Sequence, residues 1–272
     1  MLNISLSKFK SRNKKKLNQV LYYSIKTDGI KEIENLINNF LIEKDSFVFE
    51  SVEKGFIKGR YTIFGKKPDK IWEFNNNKCK LFFNNKLKLL KGNPKDNIEK
   101  IIENFNFKIP KELPPISSII SGYFSYDIIR YIENIPNKTN NDLNIPDSRI
   151  LRPKNLIVHD NFSKKLFFIV NCFKDEKIIN FEEKYNQIKN EIEQMVFLSS
   201  YNKSLNIFKK NIKSEKIKSN ISKVKFLNNI KKAKKYIKIG DIFQVVLSQR
   251  FETRLTKKPI DIYKKLRKSN PS

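Results

Sequence analysis

A side chain that moves protons or holds a metal needs partners at a workable spacing, and few candidates in this sequence have them. His159 is the only histidine, and it falls at the end of a β-rich run. That is the setting of a packing or hydrogen-bonding residue rather than of a catalyst. Cys79 and Cys172 are far apart and lack CxxC or Cys/His spacing, so neither a zinc site nor a disulfide framework is indicated. The Glu50-Ser51 pair closes a short β-rich piece, where a carboxylate and a hydroxyl satisfy backbone groups at a strand end. Gln244 stands in an alternating stretch and, taken alone, is a polar residue on a half-exposed strand.

The elements that must position these residues follow from periodicity. Ile30, Ile33, Leu36, Ile37, Phe40 and Leu41 recur at helical spacing, which predicts an amphipathic helix over 30–41. Residues 46–52, 60–65, 70–74, 78–83 and 86–90 are short β-rich pieces separated by Gly, Pro and Asn, as in an antiparallel meander. A helix over 97–105 precedes Pro114-Pro115, and 155–160 with 166–172 reads as a hairpin. A helix over 175–195 leads into 199–222, a linker rich in Ser, Asn and Lys. Beyond it, Val224, Leu227, Ile230, Ala233 and Ile237 mark another helix, which Gly240 ends through a left-handed backbone. A strand is expected over 242–251, with Phe243, Val245, Leu247 and Phe251 on a packed face and Gln244, Val246, Ser248 and Arg250 on the other. Residues 259–268 close the sequence with a proline-started helix.

Composition sets the class. A hydrophobic fraction of 39% with 22 Phe and 10 Tyr excludes a polar disordered chain. The first 27 residues carry Lys and Arg but no acid, without the Arg-rich amphipathic pattern of a presequence, and read as a basic N-terminus. Apolar runs are too short for the roughly 20 residues a membrane helix needs. The net charge of +28 could attract nucleic acid. The lysines, however, are spread through every segment alongside excess Asn, Ile and Phe, which points to drift toward AT-rich codons.

Four segments together resemble anthranilate synthase component I. The first runs from Phe47-Val48-Phe49-Glu50-Ser51 to Gly59-Arg60-Tyr61-Thr62-Ile63-Phe64-Gly65, with Phe49 where the family usually has Leu. The second is Gly122-Tyr123-Phe124-Ser125-Tyr126-Asp127-Ile128-Ile129-Arg130-Tyr131-Ile132-Glu133, in which Asp127 is expected to cap a helix packed down by tyrosines and isoleucines. The third, over 142–147, is a weaker loop match. The fourth, Gly240-Asp241-Ile242-Phe243-Gln244-Val245-Val246-Leu247-Ser248-Gln249-Arg250-Phe251, looks like the opening strand of the family's chorismate-binding domain.

The resemblance implies an α+β fold of antiparallel sheets packed face to face with flanking helices. It implies an N-terminal region over 1–198, a linker over 199–223 and an incomplete chorismate-binding domain over 224–272. It implies conversion of chorismate and ammonia to anthranilate and pyruvate, in the cytoplasm, for tryptophan biosynthesis. Ammonia would come from glutamine through a partner amidotransferase, component II. Glu50 and Ser51 inherit a place in the tryptophan feedback site, where a carboxylate suits the inhibitor's ammonium. Gln244 stands where water-adding relatives have lysine, because ammonia needs no general base. The magnesium ligands and the catalytic histidine are expected past Ser272, so this chain alone is expected to be inactive. It is also expected to expose apolar faces around Val224 and Ile242. Aminodeoxychorismate synthase component I is the sister reading, against which Val246 and the Glu-Ser pair speak. A basic nucleic-acid-binding protein and a silent tryptophan-binding module are the readings from other classes.

Overall fold

The computed structural model describes residues 2–50, 59–84, 86–105, 107–137, 141–202 and 216–269. The chain divides into two units, 1–203 with 270–272 and 204–269.

In the first unit, helix α1 (Leu6–Lys14) leads into strand β1 (Gln19–Lys26), and helix α2 (Ile30–Asn39) into β2 (Phe47–Phe49). Then come β3 (Tyr61–Asn75), β4 (Lys78–Phe83), β5 (Lys86–Leu90) and helix α3 (Pro94–Asn104). Strand β6 (Ser121–Phe124), a 3-10 turn (Tyr126–Tyr131), β7 (Ser148–Asp160), β8 (Lys165–Cys172) and helix α4 (Phe181–Ser200) complete it. The strands form one eight-stranded sheet in the order β1-β8-β7-β3-β4-β5, with β2 added to β3 and β6 to β7. Every pairing is antiparallel. The expected α+β class holds, and the strands join in this single sheet.

β8 is buried along nearly its whole length, which explains why Leu166-Phe167-Phe168-Ile169-Val170 reads as continuous apolar sequence. Val20, Leu156, Val158, Phe167 and Ile169 form one core cluster, closed by Leu113 and by Phe107, Ile109, Ile116 and Ile119. The helices supply further core: Phe9 lies 5.9 Å from Tyr185, and Phe40 packs edge-on to Phe64 at the same centroid distance. Asn35 and Asn39 donate to the carbonyls of Ser199 and Tyr201 at 2.8 and 2.7 Å. The last carbonyls of α4, which have no partner within their own helix, are thereby satisfied by α2.

Several boundaries differ from expectation for identifiable reasons. α1 and β1 stand where only a basic N-terminus was read, and Phe9, Val20 and Leu21 belong to the core. The two pieces 60–65 and 70–74 are one strand, because a bulge between Pro68 and Lys70 absorbs the proline that lacks a ladder donor. α4 starts at Phe181 rather than 175: Asn180 caps it by accepting from Glu182 and Glu183. Asp175 and Glu176 are drawn instead into ion pairs with Arg152 and Lys154. Asp127 does not cap a helix. Ser125 holds the cap position, Asp127 pairs with Arg130, and Tyr126 is exposed rather than packed.

In the second unit, Lys218–Ser219 (β9) precedes helix α5 (Lys223–Lys238), and Phe251–Glu252 (β10) precedes helix α6 (Pro259–Ser269). Ser222 caps α5 by accepting from the Lys225 N–H, and Gly240 follows it at φ +84, as its position predicts. The strand expected over 242–251 is corrected: only Phe251 and Glu252 pair, with Ser219 and Lys218. The intended packed face is open, with Phe243 95% exposed, because among the described residues no neighbouring strand or helix covers it. Apolar residues of α5 are exposed as anticipated, Val224 and Leu227 among them.

His159 is fully buried on β7, with its Nε2 3.4 Å from the Thr27 carbonyl oxygen and Nδ1 lacking a partner. This is a packing role. Burial lowers its pKa, and Lys164 adds to this, while the Thr27 contact, Asp160 and Glu32 pull the other way. A folded-state pKa below the unfolded value means that the unfolded chain takes the proton first. Stability is therefore complete above about pH 6.5 and declines as pH falls through the folded-state value. With a single histidine in the chain, the stability should start to fall as pH drops below about 6.5, with a slope of at most one proton from this group. His159→Gln should flatten that slope, and an unchanged slope would contradict the assignment.

Candidate functional site

Pieces of the first three resembling segments lie in the first unit. β2 pairs with β3 so that Phe47, Val48 and Phe49 lie opposite Gly65, Phe64 and Ile63. This register carries Glu50, half-buried, to the end of the β2 ladder. Ser51 lies outside the described residues. Arg60 donates from Nε and Nη2 to both oxygens of Asp160, each at 3.0 Å, and lies over the rings of Tyr61 and Phe162. Burial alone would raise the Asp160 pKa, but Arg60, the Phe162 N–H and the Ser163 hydroxyl together hold the carboxyl below its ordinary range. Arg60 thus secures the β7–β8 turn beside Glu50's strand pair, a structural role that its sequence motif did not disclose.

The second and third segments are joined by Asp147. Its Oδ2 accepts from the Tyr131 hydroxyl at 2.5 Å and from the Asn76 N–H at 3.1 Å. Burial raises the Tyr131 pKa and the bond to Asp147 raises it further, so this phenol stays protonated and serves as a donor. Next to it, Arg149 on β7 donates to Asp45 at 2.7 Å and to Glu73 at 2.9 Å. These bonds lock the loop before β2 onto the sheet that β2 extends.

Gln244 belongs to the second unit and is exposed. It sits in a segment without regular secondary structure that is held at both ends. At the start, the Asp241 N–H donates to the Tyr236 carbonyl at 3.1 Å. At the finish, the Arg250 N–H donates to Asn220 Oδ1 at 2.9 Å and the Gln249 amide to Ser219 Oγ, also at 2.9 Å. An exposed amide on an anchored backbone can donate and accept hydrogen bonds toward a bound molecule but cannot take a proton near neutral pH. Among the described residues no group of three or more His, Cys, Asp or Glu side chains could hold a metal ion. The donor set present here does not fit magnesium, which wants near-octahedral oxygen ligands. Among the described residues no helix is long and apolar enough to cross a membrane.

One partly buried cluster escaped sequence reading. Arg152 on β7 is paired with Asp69 and Asp175, and Lys70 also pairs with Asp175. The available signal was the charge of Arg149, Arg152 and Lys154 on a strand otherwise apolar enough to be buried.

The family model described as chorismate binding enzyme matches residues 46–272. Anthranilate synthase component 1 of Acetivibrio thermocellus is 36% identical over 244 residues, which cover 88% of this chain and 49% of that protein. The component 1 of Cereibacter sphaeroides is 28% identical over 260 residues, 94% of this chain and 52% of that protein. The crystal structure of anthranilate synthase component I from Streptococcus pneumoniae superposes with a TM-score of 0.64 at 26% identity, covering 82% of this chain and 48% of that one. The chain spans about half the length of the curated relatives it matches. Its fold is that of the solved component I over the shared part, and with the family match running through 227 of its residues, numbers 46 to 272, the chain belongs to the chorismate binding enzyme family.

Proposed function

We propose that this chain is part of an anthranilate synthase component I. The assembled enzyme converts chorismate and ammonia to anthranilate and pyruvate in tryptophan biosynthesis, in the cytoplasm. A glutamine amidotransferase subunit delivers the ammonia. The observation that carries the reading is the family match over 46–272 on a chain whose Gly240–Phe251 segment bears Gln244 where water-adding relatives bear lysine. A neutral amide suits a nucleophile that brings its own lone pair, whereas water attack needs a base to remove its proton. Glu50 and Ser51 are proposed as part of the tryptophan feedback site, the carboxylate meeting the inhibitor's ammonium. Magnesium is proposed to be held by residues of the part of the enzyme that this chain does not span.

The test is co-expression with the remaining half of the Acetivibrio thermocellus relative, in a strain that lacks component I and cannot make tryptophan. Anthranilate should form from chorismate and ammonium only when both pieces are present. Formation of isochorismate, salicylate or aminodeoxychorismate instead would sink the reading. In the same assembly Gln244→Lys should lower ammonia-dependent anthranilate formation by about a hundredfold, the usual weight of a misplaced acid or base at a reacting centre.

A further inference from the structure

A cavity of about 370 Å³ opens in the first unit, away from Glu50, where the C-terminal half of α3 faces the sheet and the turn after β8. We propose that it binds a small aromatic carboxylate, held between an aromatic floor and the ammonium groups of Lys100 and Lys174. The inference rests on this geometry and not on the chorismate reading.

Trp72, Leu81, Ile101, Phe107 and Phe173 line the cavity and give it flat, apolar walls. Phe107 and Phe173 meet edge to face at 5.8 Å, and the Arg152 guanidinium covers Phe173 at 3.8 Å. Such walls suit a ring, and the volume suits a ligand of one or two rings. The charges then select the ring's substituent. Arg152 and Lys70 lie at the cavity, but their charges are already met by Asp69 and Asp175. Lys100 and Lys174 also line it, both exposed, and among the described residues neither takes part in an ion pair. Asp175 is the one carboxylate in the lining, and it is fully engaged. An anion entering here meets two cations that no ion pair among the described residues engages, while a ligand ammonium would find the one lining carboxylate, Asp175, already paired with Lys70 and Arg152. A benzoate-like anion therefore fits, and a zwitterionic amino acid does not. This separates the cavity chemically from a site built around Glu50.

Trp72 is the only tryptophan of the chain, so its fluorescence reports on this cavity alone. Titrating benzoate into the intact chain should change that emission saturably. Benzamide, equal in shape but neutral, and phenylalanine, which adds an ammonium, should each bind at least fivefold more weakly. Lys100→Ala/Lys174→Ala, two exposed positions outside the core, should weaken benzoate about tenfold and leave benzamide unchanged. Saturation-transfer NMR on benzoate gives the same answer without relying on the indole. No saturable response by either method, an equal response to benzoate and benzamide, or undiminished benzoate binding in the double variant would each overturn the proposal.

Discussion

Replacing Arg152 with Met should lower the stability of the first unit by about 3–5 kcal/mol, the usual result of deleting one member of a buried ion pair. Side-chain exposures of 11% for Arg152 and 13% for Asp69 leave little water to stand in for the lost guanidinium. The loss falls on two carboxylates at once: Arg152 donates from Nε and Nη2 to Asp69 and from Nη2 to Asp175 at 2.9 Å. It also removes the cation over Phe173. For a unit of this size the melting temperature should fall by about 10 °C. Two further measurements separate charge from packing. Arg152→Met/Asp69→Leu should recover more than half of the deficit, because the stranded charge leaves with its partner. The deficit should also shrink at acid pH. Burial raises the Asp175 pKa, but Arg152 and Lys70 hold it below the ordinary carboxylate value. Its contribution is therefore whole above about pH 4 and fades as pH falls through the folded-state value. A deficit that is the same at pH 7 and pH 3 would assign the effect to lost packing.

Sequence periodicity revealed those parts of the fold where the local pattern and tertiary burial agree. The stripe from Ile30 to Phe40 is α2 within two residues of its expected end, and α5 stops where Gly240 said it would. The β7–β8 hairpin pairs His159 with Leu166 and Asp160 with Lys165, close to the expected turn. Failures came where a long-range partner decides the outcome. Val20 and Leu21 are both buried, so β1 shows no alternation and its lysine-rich surroundings disguised it. Pro68 looked like a break because the bulge that accommodates it is a property of two strands together. The 242–251 segment has the alternation of a strand, but alternation describes side-chain direction, and a ladder needs a neighbour. Around the candidate site, the β-rich piece expected over 46–52 is β2 over Phe47–Phe49, which leaves Glu50 just past its end, while the roles of Arg60, Asp147 and Arg149 could not be read. Each acts through a residue between 70 and 105 positions away in sequence, or through a loop whose position only the folded chain defines.

Gly122→Ala should cost about 3 kcal/mol or more, although alanine is the smallest change available and the position is on the sheet surface. Gly122 opens the second resembling segment, and the structure supplies its physical reason. β6 crosses β7 with Gly122 opposite Ile150. A Cβ at this point would stand 2.1 Å from the Arg149 carbonyl oxygen and 2.9 Å from the Ile150 Cα. Both obstacles are backbone atoms in a central strand, so no rotamer change relieves the contact. β6 must move away, and with it go the bond from Ser148 Oγ to the Tyr123 carbonyl at 2.8 Å and the bond from the Tyr123 hydroxyl to Pro146 at 3.1 Å. Gly92→Ala is the control. Gly92 has φ +89 and its nearest neighbour would be the Asn97 amide at 3.6 Å, so alanine pays only the left-handed backbone, about 1–2 kcal/mol. Thermal melts of the two variants should therefore differ clearly, with Gly122→Ala the lower. Equal melting temperatures would mean that β6 can shift at little cost, and that close backbone approach is not why glycine stands there.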